Sequence, residues 1–274
     1  MYHIGLNLPN STYGEKRLIK KSNGSLFLTI VIPAYNEERR LAQTLPKVAE
    51  FIEAQIYEAE VLVVDDGSTD RTAEVVKEFS VQHPLFRLIQ VDHGGKGHAV
   101  KAGMLQARGE YAFLCDADLA MPITELPKFL PPQQNSYKVA IGSREIEGSV
   151  RYNEPFYRHL MGRVYNGLVK LMAVRGFEDT QCGFKCFHHS VMQDLFARQT
   201  IDGFGFDVEL LYVAQKRGYK IIEVPIHWYY QRESKVHPIR DTVRMAQDMI
   251  TVRQNDWRGI YDPQPLAPEV TSKS

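Results

Sequence analysis

The sequence predicts an α/β fold, a mostly parallel sheet flanked by helices, on two observations. Short β-branched runs alternate with helical segments between residues 27 and 143, the pattern of strands buried on both faces and joined by crossovers. Three acidic clusters follow three of those runs directly: Tyr35-Asn36-Glu37, Asp65-Asp66 and Asp116-Ala117-Asp118. Open α/β sheets bind ligands at the carboxyl ends of their strands, so the clusters mark the expected site.

The predicted strands are residues 28–32, 61–64, 88–91, 111–115 and 139–141. Pro33 closes the first and frees the following backbone to turn. Ser68 or Thr69 is placed to cap the helix through Val75 and Phe79, and Gly97 opens the helix with Val100 and Leu105. After Ser143 the pattern changes. A helical stretch over 154–174 leads into a Gly-rich segment through 187, then a helix over 206–217, a β-run over 219–230 broken by Pro225, and a last helix over 239–254. The first half is expected to complete the core sheet, leaving the second half as a mainly helical flank. Residues 258–274, rich in proline and polar groups, are expected to form a disordered tail.

The chain has 274 residues, 44% hydrophobic and 24% charged, enough for one large core. Lys+Arg and Asp+Glu are both 33, which argues against a protein that coats nucleic acid. Cys115, Cys182 and Cys186 are odd in number, suit no disulfide framework and fit a reducing cytosol as apolar filler. Cys182 and Cys186 stand near His188 and His189, but their spacing matches no common zinc site. Residues 1–25 form a polar, basic extension without the apolar core of a signal peptide, and no apolar run is long enough to span a membrane.

The third cluster carries the most chemistry. Two carboxylates one residue apart at a strand mouth, Asp116 and Asp118, can share a hard divalent cation, Mg²⁺ or Mn²⁺, that also takes phosphate oxygens. The alternative is that they cap a helix starting near Ile123. Tyr35 and Glu37 are left to face a ligand. Of Asp65 and Asp66, one can accept hydrogen bonds from a base N–H while the other orients the turn, or both can serve the turn. His93-Gly94-Gly95-Lys96-Gly97 suits an anion through backbone N–H groups and the lysine, although it lacks the Walker spacing. The Arg144 fork suits a phosphate, and Lys185 and Lys235 can neutralise one, unless all three are ordinary surface cations.

The runs Val31-Ile32-Pro33-Ala34-Tyr35-Asn36-Glu37, Val63-Val64-Asp65-Asp66-Gly67-Ser68-Thr69-Asp70 and Asp116-Ala117-Asp118 resemble the nucleotide-sugar half of glycosyltransferase family 2, inverting enzymes of the Rossmann-like GT-A fold. Gly142-Ser143-Arg144, Asp179-Thr180-Gln181-Cys182-Gly183-Phe184-Lys185 and Phe206-Asp207-Val208-Glu209-Leu210-Leu211 are similar to the dolichyl-phosphate β-glucosyltransferases, and the resemblance covers residues 27 to 257. It implies one catalytic domain over 26–257, with a nucleotide-sugar half (26–143) and an acceptor half (144–257).

The activity implied is transfer of glucose from UDP-glucose to a dolichyl or polyprenyl phosphate with inversion. Pro33, Tyr35 and Glu37 would floor the nucleoside, Asp65 would meet the base, and Lys96 and Asp116 would border the diphosphate. Asp118 and Asp116 would hold the metal, and Arg144, with Lys185, would steady the acceptor. Lys235 lies in a segment similar to the family's Gly-x-Ser-Lys tail, with Arg232 replacing the glycine. Glu178-Asp179 falls where inverting relatives keep a general base. A phosphate acceptor, already anionic at neutral pH, needs none, and Asp179 would then position the acceptor or a sugar hydroxyl. GDP-mannose as donor, a saccharide hydroxyl as acceptor, and a silent nucleotide-binding scaffold remain open.

The predicted helix over 155–174 spaces Tyr157, Leu160, Met161, Val164, Tyr165, Leu168 and Leu171 as one stripe beside Arg158, Arg163, Lys170 and Arg175. Such a helix lies in a membrane interface, packs on a core or joins two copies of the chain, and the last helix has the same ambiguity. The resembled eukaryotic enzymes carry a spanning N-terminal helix. Attachment here is expected to be peripheral, on the cytoplasmic face, or absent.

Overall fold

A computed structural model describes residues 26–231 and 238–263, and Lys235 lies outside them. The strands are β1 (Leu28–Ala34), β2 (Ala59–Asp66), β3 (Phe86–Val91), β4 (Tyr111–Leu114), β5 (Val139–Ser143), β6 (Val150–Tyr152), β7 (Lys185–His188), β8 (Ile221–Pro225) and β9 (His227–Tyr229). The helices are α1 (Glu38–Glu53), α2 (Thr72–Gln82), α3 (Lys96–Met104), α4 (Phe156–Met172), α5 (His189–Arg198), α6 (Phe206–Lys216) and α7 (Pro238–Trp257).

Seven strands form the main sheet in the order β3-β2-β1-β4-β7-β5-β8. All its pairings are parallel except those of β7, which runs antiparallel to both neighbours. Alternation along the strands explains the continuous apolar runs. Ile30, Ile32, Val61 and Val63 pack into a core with Leu41, Leu45 and Val48 of α1, while Val31, Leu62 and Val64 join Val100 of α3, Leu195 of α5 and Leu211 of α6 on the other face.

Register sets the site. Ala34 lies opposite Asp65, and Val31 opposite Leu114, so all three acidic clusters emerge along one edge of the sheet. The segment entering β7 returns to that edge, because Lys185 pairs with both Leu114 and Ile141.

Four expectations are corrected. The first half does not complete the sheet, since β7 and β8 come from the second half and β7 fills the gap between β4 and β5. Neither Ser68 nor Thr69 caps α2, which starts at Thr72; the Ser68 hydroxyl instead accepts the Asn36 N–H at 2.8 Å. The run around Pro225 splits, and β9 pairs in parallel with β6 as a separate two-stranded sheet. The tail is not free from 258 onward. Tyr261 is fully buried, and its hydroxyl donates to Glu209 at 2.7 Å.

Glu209, itself wholly buried, also takes the N–H groups of Thr200 and Ile201. That anchors the loop on which α3 is seated. Gly95 has φ 118°, and a Cβ there would lie 2.6 Å from the Asp202 carbonyl oxygen.

Candidate active site

The ends of the first two strands are stapled together by their loops. Asn36 adopts φ 52°, and its side-chain oxygen accepts the N–H groups of Thr69 and Asp70, tying the turn after β1 to that after β2. Pro33 is buried within β1 opposite Val64. Tyr35 stands beyond it, and its ring stacks on His93 with centroids 4.2 Å apart and planes 17° from parallel. Glu37 turns to Arg40 at 3.1 Å.

The two acids after Val64 divide their work. Asp66 accepts the Gly94 and Gly95 N–H groups, both at 2.9 Å, and bonds His93 Nδ1 at 2.8 Å, which fixes the Gly-rich loop. Asp65 is 2% exposed and accepts the Ser68 N–H at 3.1 Å, with Gln90 Nε2 at 3.4 Å.

The next pair is held differently. Asp118 accepts the Ala120 N–H at 3.0 Å, so it closes its own turn, whereas the helical segment Ile123–Phe129 begins after Pro122 and is capped by neither acid. Burial and the neighbouring Asp116 charge push the Asp118 carboxyl up, only partly offset by that N–H and by Lys96 and Arg40. Lys96 lies 2.7 Å from Asp116 Oδ1. Burial works against its ammonium, but Asp116, Asp207 and Asp118 together hold its pKa above the usual lysine range. Gly183 leaves the room Asp116 needs, since a Cβ there would fall 1.9 Å from Asp116 Oδ2.

Among the described residues no group of three or more His, Cys, Asp or Glu side chains converges as a metal site. Asp116 and Asp118 nevertheless fit a divalent cation. They are hard oxygen donors whose mutual repulsion a cation relieves, and Mg²⁺ commonly takes one or two carboxylates and fills its shell with water and substrate phosphate.

After β5, Arg144 grips Asp179 with a fork: Nε to Oδ2 at 2.6 Å, Nη2 to Oδ1 at 2.9 Å, and its backbone N–H to Oδ2 at 3.0 Å. Burial alone would raise the Asp179 carboxyl, but Arg144 outweighs it and holds the acid below its usual range. The guanidinium stands over Trp228 at 5.4 Å, where Arg151 also approaches at 6.0 Å.

Lys185 is corrected as a surface contact for an acceptor phosphate. It is 0% exposed, with its ammonium 2.7 Å from Asp207 Oδ1 and donating to the Cys182 carbonyl at 2.5 Å. The three cysteines are buried and free, and burial pushes Cys182 and Cys186 up to about 12. Residues 179–185 thus link the parts: Asp179 to Arg144, Gly183 against Asp116, and Lys185 to Asp207.

Sequence reasoning missed His93 as a ring partner, Trp228, and Asp207. Two acids in the first turn of α6, Asp207 and Glu209, were the available signal for the last. No comparable signal marked the other two.

The comparisons with known proteins agree with this architecture. The family model described as Glycosyl transferase family 2 matches residues 29–196. The chain is 35% identical over 243 residues to the dolichyl-phosphate beta-glucosyltransferase ALG5C of Trichomonas vaginalis, covering 84% of this chain and 72% of that protein. Among solved structures it is similar to glucosyl-3-phosphoglycerate synthase from Mycobacterium tuberculosis in complex with Mn²⁺ and UDP-glucose, with TM-score 0.58, 16% identity, and 84% and 78% of the two chains covered. It is also similar to the mannosyltransferase PcManGT from Pyrobaculum calidifontis in complex with GDP-Man and Mn²⁺, with TM-score 0.55, 20% identity, and 90% and 67% covered. At these identities the solved structures establish the fold.

Proposed function

The chain belongs to glycosyl transferase family 2, and from that premise we propose that it transfers glucose from UDP-glucose to a dolichyl or other polyprenyl phosphate, inverting the anomeric carbon. The observation that carries the acceptor is the Arg144–Asp179 fork. Asp179 stands where a base would be needed to activate a hydroxyl, yet both its oxygens are bound and its pKa is depressed. A phosphate monoester, with a second pKa of about 6, is already a nucleophile at neutral pH and asks nothing of Asp179.

In this reading Tyr35 and His93 floor the base, Asp65 meets its N–H, and Lys96 borders the diphosphate. Asp116 and Asp118 hold Mg²⁺ or Mn²⁺, which when bound neutralises charge on the departing diphosphate. Arg144 uses Nε and Nη2 on Asp179, leaving Nη1 to steady the acceptor phosphate. A phosphate oxygen attacks the anomeric carbon from the face opposite UDP. The bond from that carbon to the diphosphate breaks, its electron pair leaves with UDP, and no proton is transferred.

A lipid acceptor has to be met at a surface. Phe156 and Leu160 of α4 are 78% and 52% exposed, and Arg158 lies over Tyr230 at 5.2 Å. The side chains of Tyr157, Met161, Val164, Tyr165, Leu168 and Leu171 fall outside the described residues. Among the described residues no helix is long and apolar enough to cross a membrane. The exposed start of α4 suits peripheral contact instead. A Phe156→Ser, Leu160→Ser double variant is expected to lose about tenfold in co-sedimentation with anionic lipid vesicles, while Mn²⁺ and UDP binding stay unchanged.

The deciding experiment incubates the protein with Mn²⁺, a polyprenyl phosphate and, in parallel, UDP-glucose or GDP-mannose, with mass spectrometry of the lipid. A glucosyl lipid is expected. A mannosyl lipid would replace the sugar in this reading, and product only with saccharide hydroxyls would replace the acceptor. Nucleotide binding without any transfer would overturn the enzymatic reading altogether.

A further inference from the structure

Lys96 sits in a chain of alternating charges that runs from the sheet edge into the core. Its ammonium is 2.7 Å from Asp116 Oδ1, and it also feels Asp118 and Asp207. Asp207, 5% exposed at the start of α6, is paired in turn with the fully buried Lys185. The array holds three carboxylates and two ammoniums, an excess of one negative charge.

A divalent cation bound to Asp116 at about 2.0–2.6 Å would share a carboxylate with that ammonium, and the like charges repel strongly at such range. Lys96 has somewhere to go. Asp207 stands in the first turn of the helix against which α3 starts, since a Cβ on Gly97 would fall 2.9 Å from the Cβ of Phe206, and in the reading above the donor diphosphate arrives on the other side.

We propose that Lys96 is a resident counter-cation for Asp116, holding the carboxylate in place until metal and diphosphate arrive together and then moving to the diphosphate and Asp207. The consequence is coupling. Metal alone must compete with Lys96, whereas metal with diphosphate gives it a new partner, so each ligand tightens the other by the same factor. This rests on the metal-assisted reading above and adds to it the order of affinities.

The test is titration of the holo-forming ion itself: Mn²⁺ followed by electron paramagnetic resonance, with and without UDP, in the wild type, Lys96→Met and Lys96→Arg. The wild type is expected to bind Mn²⁺ at least about tenfold more tightly with UDP present. Lys96→Met is expected to bind Mn²⁺ alone about tenfold more tightly than wild type and to lose most of the UDP effect. Lys96→Arg, which keeps the charge, is expected to retain weak binding of the metal alone. Thermal melting of both variants confirms that they fold. The inference is overturned, with the metal reading intact, if wild type binds Mn²⁺ but Lys96→Met leaves the metal-only affinity unchanged or weaker. Absence of Mn²⁺ binding to wild type even with UDP overturns the metal reading and the inference with it.

Discussion

Asp65-Asp66 and Asp116-Asp118 are both acid pairs at the mouths of buried strands, yet the fold answers their charges in different ways. Asp66 is met by two backbone N–H groups and His93, and Asp65 by the Ser68 N–H and Gln90. Asp118 takes the Ala120 N–H, Asp116 pairs with Lys96, Arg40 lies near enough to matter, and burial together with the Asp116 charge still leaves the Asp118 carboxyl raised. Asp66 has become scaffold because its hydrogen bonds are supplied from within, while Asp65, held by one short N–H contact, keeps acceptor capacity for a base N–H. The second pair's charge is met only in part from within, the condition under which the proposed cation would bind there.

The largest effect that tests this contrast belongs to Asp118→Asn. The substitution keeps shape and removes charge, so transfer should fall by roughly a thousandfold with the melting temperature little changed. Retention of full transfer in that variant would sink the assignment of the second pair.

Asp179→Asn comes next, with an effect on stability. It strands a mostly buried guanidinium, at a cost of about 3 kcal/mol in urea unfolding. The pH dependence has a definite sign. Because the folded carboxyl is depressed, the pair's contribution is fully present above the unfolded value of about 3.9 and is lost as pH falls through the lower folded value. Wild-type stability should therefore fall steeply below about pH 4, and the variant should lack that component of the acid limb. The variant's pH–rate profile near neutrality should keep the wild-type shape. Collapse of transfer in the variant, with loss of the acid limb that a general base imposes, would restore Asp179 as the proton acceptor.

Asp66→Asn should cost about 1–2 kcal/mol and raise the KM for the nucleotide sugar through a loosened Gly-rich loop, with kcat much less affected than in Asp118→Asn. If Asp66→Asn instead abolishes Mn²⁺ binding, the division between scaffold and site collapses. The smallest effect is expected at His93→Ala. Losing one ring of a stacked pair should weaken UDP binding by about threefold to tenfold, measured by calorimetry.

The same contrast explains how far the site was legible. Asp116 and Asp118 are neighbours in the chain, so their pairing is visible in sequence, and so is the strand before them, because apolar runs buried on both faces are unbroken. The Arg144–Asp179 fork joins separate elements, and the sequence offers two plausible polar residues without saying that each would satisfy the other. β7 escaped for a related reason. It is four residues long, begins with Lys185, and is accepted into the core only because Asp207 on a later helix neutralises it. β6 and β9, three residues each, are too short to show a period. Tyr261 was hidden in a stretch whose composition reads as tail, since one buried ring, its hydroxyl held by Asn255 and Glu209, leaves no pattern.

The position of β7 also determines how this chain can be recombined. A breakpoint after Ser143 looks natural, since the parallel strands β1 to β5 lie before it and helices α4 to α7 after it. A chimera made there would import from its new parent a strand lying between β4 and β5, together with the turn that gives Asp116 its room. The two halves of the chain are therefore not separable as two cassettes. An engineer recombining this chain should keep the segment through β7 with the strands it pairs to, and cut instead outside the seven-stranded sheet.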